Sequence, residues 1–355
     1  MMALLLFLLD VLLFFAIYLI VNASLNMQLG YAGIPNFGLV LAVTGGAYVV
    51  GVLPIRLGML FVPVDPELAS DVVKNSAMIS LAYINPAIAR EPWLGVLIFI
   101  TTLAAAAAVG ALLGFISAYP AIRLRADYLA ITLLALGEIL FIVGVGYDPL
   151  VGGPLGVVVP DPWAWASSRE VVASLTIIGI AIALFLLVLY MTRTPFGRAL
   201  KIIRDNEIAA SALGIDVSKE RMEVMVVSSA LCGIAGALYA FYTCNVCPYS
   251  YGRFEWTFLP WLMVVLGGAG NNMGVLVGTA VFVVLRKFII YFKHYLEGIV
   301  PFDVVWLDHI FLGMILLLIL LFKPKGLLME RPAITTERKD VGAFIRELLR
   351  RRERT

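Results

Sequence analysis

Eight predominantly apolar segments, each close to the length of a bilayer-crossing helix, constrain this chain more than any other feature. They lie at about 3–22, 38–54, 93–119, 126–146, 171–191, 222–242, 274–290 and 304–322. A helix of about 20 apolar residues spans the roughly 30 Å of hydrocarbon. Within that layer every backbone N–H and C=O must be paired inside the protein, which leaves helices or closed barrels. The ten-residue alternation of a membrane barrel is absent. Composition agrees, because 62% of the residues are hydrophobic and 14% charged, against roughly 45–50% and about 25% in soluble domains. The expected fold class is an all-α integral membrane protein, a polytopic bundle of about 8–10 transmembrane segments with discontinuous or re-entrant helices.

Several stretches depart from that pattern. The apolar piece at 256–267 is too short to cross alone and reads as a re-entrant half-helix. A second re-entrant piece near 28–38 would reverse the side of the first helix. Segment 76–89 is broken by Asn85-Pro86 and reads as part of a long loop. The N-terminus is apolar from its second residue and lacks a basic n-region and a small-residue cleavage site. It reads as a retained span rather than a cleaved signal peptide.

Lys and Arg set the orientation. Loop 120–127 (Arg123, Arg125), loop 192–221 (Arg193, Arg198, Lys201, Arg204, Lys219, Arg221) and the tail 323–355 hold most of the 26 basic residues. Loops 55–92, 147–170, 243–255 and 291–303 hold few. The first group is expected in the cytoplasm and the second outside. Residues 1–330 form the membrane domain, and 331–355 a basic amphipathic cytoplasmic tail. In the tail Val341, Phe344, Ile345, Leu348 and Leu349 recur at helical spacing beside Arg346 and Arg350 to Arg352. That pattern reads as a membrane-surface helix or as a solvated, frayed one.

Net charge is +2, which argues against nucleic acid as a partner. Cys244-Asn-Val-Cys247 either closes a small disulfide or stays as free thiols, like Cys232. Two thiols make no zinc site, so no metal is expected.

Three glycine clusters break the apolar pattern. One is LGYAGIPNFG at 29–38, with Gly30, Tyr31, Gly33, Asn36 and Gly38, preceded by Asn22, Asn26 and Gln28. Another is LGGAGNNMG at 266–274, with Gly267, Gly268, Asn271 and Asn272. The third is VGGPLG at 151–156, with Gly152 and Gly153. A broken helix in a bilayer is tolerated where protein buries it or where it lines a cavity, and transporters place substrate sites at such breaks. The other reading is close helix packing through small residues. The amides Asn26, Gln28, Asn36, Asn271 and Asn272 point to a pore lining. Leu29–Gly33 and Leu266–Gly270 share L-G-x-A-G, a hint of an internal repeat.

Two carboxylates, Glu138 and Asp10, lie inside spans that contain no Lys, Arg or His. Each reads as a proton-coupling group or as a satisfied structural carboxylate. His294 and His309 lie near the external surface.

Between two spans sits the polar stretch RTPFGRALKIIRDNEIAASALGIDVSKER at 193–221. Within it Glu207, Ala209, Ala210 and Gly214 form E-x-A-A-x-x-x-G. Ala and Glu favour helix and Gly214 stops it. The helix is too polar to span and too short to fold alone. It needs a partner to dock on, or it is a solvated loop helix. No G-x-x-x-x-G-K-[ST], H-E-x-x-H or G-x-S-x-G occurs. No catalysis and no cofactor are expected of this chain.

LNMQLGYAGIPNFG (25–38), LRADYLAITLLALGEIL (124–140), VGGPLGV (151–157), TPFGRALKIIRDNEIAASALGIDVSKER (194–221), CGIAGALYAFY (232–242), LPWLMVVLGGAGNNMGVLVG (259–278) and FKPKGLL (322–328) resemble the permease subunits of branched-chain amino acid ABC transporters. The resemblance is to the second-permease branch, which includes urea permeases. It implies that the polar helix is a coupling helix seated in a groove of a separate ATPase subunit. Arg198, Arg204, Glu207, Ala209, Ala210 and Gly214 would form or flank it. The glycine breaks, their amides and the carboxylate within a span place the expected translocation path along Asn26, Gln28, Gly30, Tyr31, Gly33, Asn36, Gly38, Glu138, Gly152, Gly153, Gly267, Gly268 and Asn271.

The implied partners are a second homologous permease, two cytoplasmic ATPases, an extracytoplasmic solute-binding protein, the lipid bilayer and a small-molecule substrate. The implied location is the plasma (cell inner) membrane, multi-pass, with the C-terminus in the cytoplasm. The substrate would be Leu, Ile or Val, with urea or a short amide as the near alternative. The chain departs from the family at Ile34-Pro35 and Phe37-Gly38-Leu39, where relatives commonly continue with a histidine and small residues, and in the long loop 55–92. Both lie near the implied path and bear on which substrate is carried. The rival from another class is an ATPase-independent secondary transporter or channel that uses Glu138 as a proton relay.

Overall fold

The computed structural model describes residues 2–124, 126–291 and 326–330, and seven separate helical residues between Ile310 and Phe322. Its long helices are α1 (Met2–Leu25), α2 (Leu39–Phe61), α3 (Pro92–Arg123), α4 (Ala126–Gly146) and α5 (Arg169–Arg193). Two short helices follow, α6 (Pro195–Asp205) and α7 (Glu207–Ala212). Then come α8 (Val217–Thr243), α9 (Leu259–Gly267) and α10 (Asn272–Tyr291). Among the described residues seven helices are long and apolar enough to cross a membrane. They match the expected spans up to 290 and extend most of them by a few residues. Most of the span expected at 304–322, both histidines and the tail 331–355 lie outside the described residues.

α2 and α8 form the centre. α8 packs along α3 and α2, and α2 also contacts α3 and α4. α1 lies against α5, α8 and α10. The contacts run through small residues, because lipid tails are as apolar as Leu and helices gain most from close approach. A Cβ on Gly46 of α2 would overlap the Gly233 carbonyl of α8. One on Gly236 would overlap the Val43 carbonyl, and one on Gly110 of α3 the Ser229 carbonyl.

α1 does not end at Leu25. It widens into a π-turn over Asn26–Tyr31, and residues 32–38 are non-helical. α9 is preceded by another π-turn, Phe254–Phe258. It then turns back on α10 as a helical hairpin, with Gly267 against the backbone of Gly274 and Gly278 against that of Gly267. The break expected near 28–38 and the half-helix expected at 256–267 are therefore both present as interruptions.

Segment 76–89 corrects the sequence expectation. It is helical from Ser76 to Arg90, as an α-turn, a π-turn and the helix Asn85–Arg90. Pro86 does not break it because it sits in the first turn of that last helix, where a missing N–H costs no hydrogen bond. Ser80 Oγ and Ser76 Oγ tie the segment to Val158. Val157–Val158 pairs antiparallel with Asn245–Val246, closing one end of the bundle.

Candidate functional site

The polar loop folds as its sequence dictates. Asn206 caps α7 by accepting from the Ala209 N–H at 3.0 Å. Gly214, at φ +83°, provides the left-handed stop, and the Ile215 N–H donates back to the Ala210 carbonyl at 3.1 Å. Asp216 then caps α8 through the Lys219 N–H.

One residue expected on the docking face is turned inward. Ala210 is fully buried with Ile203 and Val217, because α7 must cover the apolar face of α6. Glu207 is engaged by Arg221 at 3.0 Å. Ala209 and Arg198 are exposed. The apolar surface actually presented is Ile208, 83% exposed, and Leu213, 71% exposed. The motif-based reading passed over both.

Arg204, which flanks α7 from the end of α6, also reaches the first break. It donates to the Gly30 carbonyl, pairs with Glu330 at 2.8 Å and with Asp205 at 3.0 Å. Burial works against its charge, but the bonds to Glu330 and Asp205 hold its pKa above the ordinary guanidinium value. The Arg204 side chain lies against Gly33, which has φ +69° and no room for a Cβ. Lys201 joins the same knot, 2.6 Å from Glu330 and 4.8 Å from the Tyr31 ring centroid. The segment 326–330 completes it. Leu327 and Leu328 donate to the Leu266 and Gly267 carbonyls at the end of α9. The polar loop and the two broken helices are thus one connected unit.

The amides of the breaks are buried and mostly bonded to one another. Asn26 donates to Asn272 Oδ1 at 2.8 Å and accepts from the Gly270 N–H at 2.8 Å. Asn272 donates to Thr192 at 2.7 Å. Asn36 donates to Gln28 Oε1 at 2.8 Å and accepts from the Gly38 N–H, while Gln28 donates to Ser228. Asn26 and Gln28 are 0% exposed and Asn36 3%. In this conformation they close the breaks rather than line an open passage. Asn271 is half-buried, facing the Leu328 and Met329 carbonyls at 3.4 Å. Gly268 (φ +106°) backs onto Gly326. Gly152 and Gly153, also at positive φ, form a tight turn after α4, remote from this unit in sequence and leading into the strand pair.

The two carboxylates in spans have basic partners on other elements of the chain, which the sequence of each span by itself does not show. Glu138 lies 3.3 Å from Arg253. Asp10 lies 2.7 Å from Lys287, and Glu255 makes two bonds to Arg286, at 2.7 and 2.8 Å. Cys232, Cys244 and Cys247 are free. Burial, with the nearby Asp161 carboxylate, pushes the Cys244 thiol up to about 11.

Residues 7–320 match the family model described as branched-chain amino acid transport system / permease component. The chain belongs to this family. The permease is 40% identical over 334 residues, 93% of this chain and 95% of the relative, to the probable branched-chain amino acid transport permease protein LivM of Methanocaldococcus jannaschii. It is 29% identical to the high-affinity branched-chain amino acid transport system permease protein LivM of Salmonella typhimurium, over 66% of this chain and 59% of the relative. It is 32% identical to the guanosine ABC transporter permease protein NupQ of Bacillus subtilis, over 43% and 49%. No solved structure matches the permease. These relatives are transport proteins, not enzymes, and with seven apolar helices the permease is a multi-pass membrane protein.

Proposed function

We propose that this permease is the membrane subunit of an ATP-driven importer of leucine, isoleucine and valine. A second, homologous permease would complete the passage. Two cytoplasmic ATPases would dock on α7, and an extracytoplasmic binding protein would deliver substrate. The observation that carries this reading is the connected unit at the polar loop. α7 offers Ile208 and Leu213 to a partner, while Arg204 and Lys201 tie the preceding helix to both broken helices. A rigid-body push on α7 would reach the breaks through those bonds and open the amides that close them.

The orientation follows from the basic loops, with α6, α7 and the C-terminus in the cytoplasm. The proton-relay rival loses support, because Glu138 is held by Arg253 rather than left alone. The test is uptake in cells that co-express the permease with its genomic neighbours. Leucine uptake should require ATP and fall at least tenfold in Ile208→Arg/Leu213→Arg, with the protein still in the membrane. Urea and guanosine run in parallel, and uptake of either one alone would keep the architecture and change the substrate. Uptake indifferent to ATP and to the variant would overturn the reading.

A further inference from the structure

A cavity of about 360 Å³ lies between α1, α8, α10 and the π-turn Phe254–Phe258. It is at the small end of ligand pockets, roughly 300–1,000 Å³. Its walls combine two kinds of group. Tyr18, Tyr239 and Trp256 supply rings, with Trp256 centred 5.7 Å from Tyr18 and 5.0 Å from Tyr239. Glu255 and Arg286 supply opposite charges in a two-bond pair, and Tyr18 Oη donates to Glu255 Oε2 at 3.1 Å. Lys287, paired with Asp10, also reaches the lining.

We propose that this cavity binds a free α-amino acid with an apolar side chain, its carboxylate on Arg286 and its ammonium on Glu255. The argument is one of charge balance. Among the described residues the charges at the cavity balance once Asp10, which backs Lys287 from outside the lining, is counted, because Arg286 faces Glu255 and Lys287 faces Asp10. A ligand with only one charge would break the Glu255–Arg286 pair and leave one partner uncompensated in a half-buried site, with Arg286 18% and Glu255 37% exposed, which costs more than in open water. A zwitterion inserts both signs and exchanges one ion pair for two. The rings and Phe14 then receive the side chain, which contributes through its buried apolar area. Opening an existing pair keeps affinity low, as a passage through which substrate must leave requires. Tyr18 precedes Asn26 by eight residues of sequence, so the cavity lies on the order of 12 Å along α1 from the amide-closed break. Substrate would rest there before the break opens. The inference rests on the proposed transport of branched-chain amino acids.

The test is the exchanged pair Glu255→Arg/Arg286→Glu in the full permease. It keeps an ion pair between the same positions, so a purely structural pair predicts normal behaviour. Binding is read on the solubilised permease by tryptophan fluorescence, with leucine, 4-methylpentanoate and 3-methylbutylamine as probes. The permease should bind leucine saturably and each single-charge analogue at least tenfold more weakly. The exchanged variant holds a zwitterion only in the reversed orientation, which turns the side chain away from the rings and Phe14, so it should lose leucine binding at least tenfold at an unchanged melting temperature, and Trp256→Phe should lose the signal. No saturable leucine binding, or equal binding by the exchanged variant or by either analogue, would overturn the site. An exchanged variant that melts early is replaced by Glu255→Gln/Arg286→Gln, read against the same thresholds. ATP-independent uptake by a permease that binds leucine as described would overturn the transport reading and leave the site standing.

Discussion

α2 and α4 are both apolar helices of membrane-spanning length, and they live in different surroundings. The most apolar stretch of α2 is 78% buried inside the protein, whereas that of α4 is 22% buried. α8 and α5 repeat the contrast at 72% and 33%. The buried pair is the less apolar of the two, with Thr44, Ser228 and Ser229 enclosed. The outer pair shows Ile131, Ile142, Ile182 and Leu186 at its surface, each about half exposed or more. In a bilayer the hydrophobic effect does not sort helices inward, because lipid accepts Leu as readily as another helix does. Small residues sort them, by letting backbones touch.

Gly46→Leu tests that contrast with the largest expected effect. Its side chain would have to occupy the Gly233 backbone. The expected loss is at or beyond the upper end of the ~1–3 kcal/mol that overpacking costs. It should appear as a lowered melting temperature in detergent and reduced yield in the membrane. A Gly46→Leu permease as stable as the parent would show that α2 and α8 do not meet at this point.

Asn26→Leu moves the test to the breaks. It leaves the Gly270 N–H and Asn272 Oδ1 without their buried partner, and a buried group left orphaned costs roughly 1–3 kcal/mol. The melting temperature should fall by less than for Gly46→Leu, because freed polar groups can take up water or a new rotamer whereas the Gly233 backbone has to move. No fall would mean that water or another group already serves Gly270.

Gly179→Leu on α5 should have the smallest effect of the three. Among the described residues no heavy atom outside its own helical turn lies within 4 Å of the Cβ it would add. The melting temperature should stay within about ±0.5 kcal/mol equivalent of the parent, as for surface changes generally. A drop comparable to that of Gly46→Leu would place a protein partner on this face of α5.

The breaks were readable in the chain because Gly, Pro and Asn are rare within apolar runs, and the half-helix because it is too short to cross. α7 was readable from its Ala and Glu content and from the stop at Gly214. The helical segment Ser76–Arg90 was misread because Pro86 ends a helix at most positions but starts one at the first turn. Ala210 was misjudged for a related reason. A motif fixes which residues form a short helix, while the face it turns outward depends on the Ile203 and Val217 beneath it.

The chain alone therefore determined its class, its spans up to residue 290, its breaks and the polar helix between two spans. These follow from hydropathy and backbone propensity, which act over neighbouring residues. Only the tertiary structure decided that Asp10 faces Lys287, that Glu255 faces Arg286, and that Glu330 gathers Arg204 and Lys201. Those partners lie far apart in the chain, and a buried charge takes its meaning from whatever the fold sets beside it.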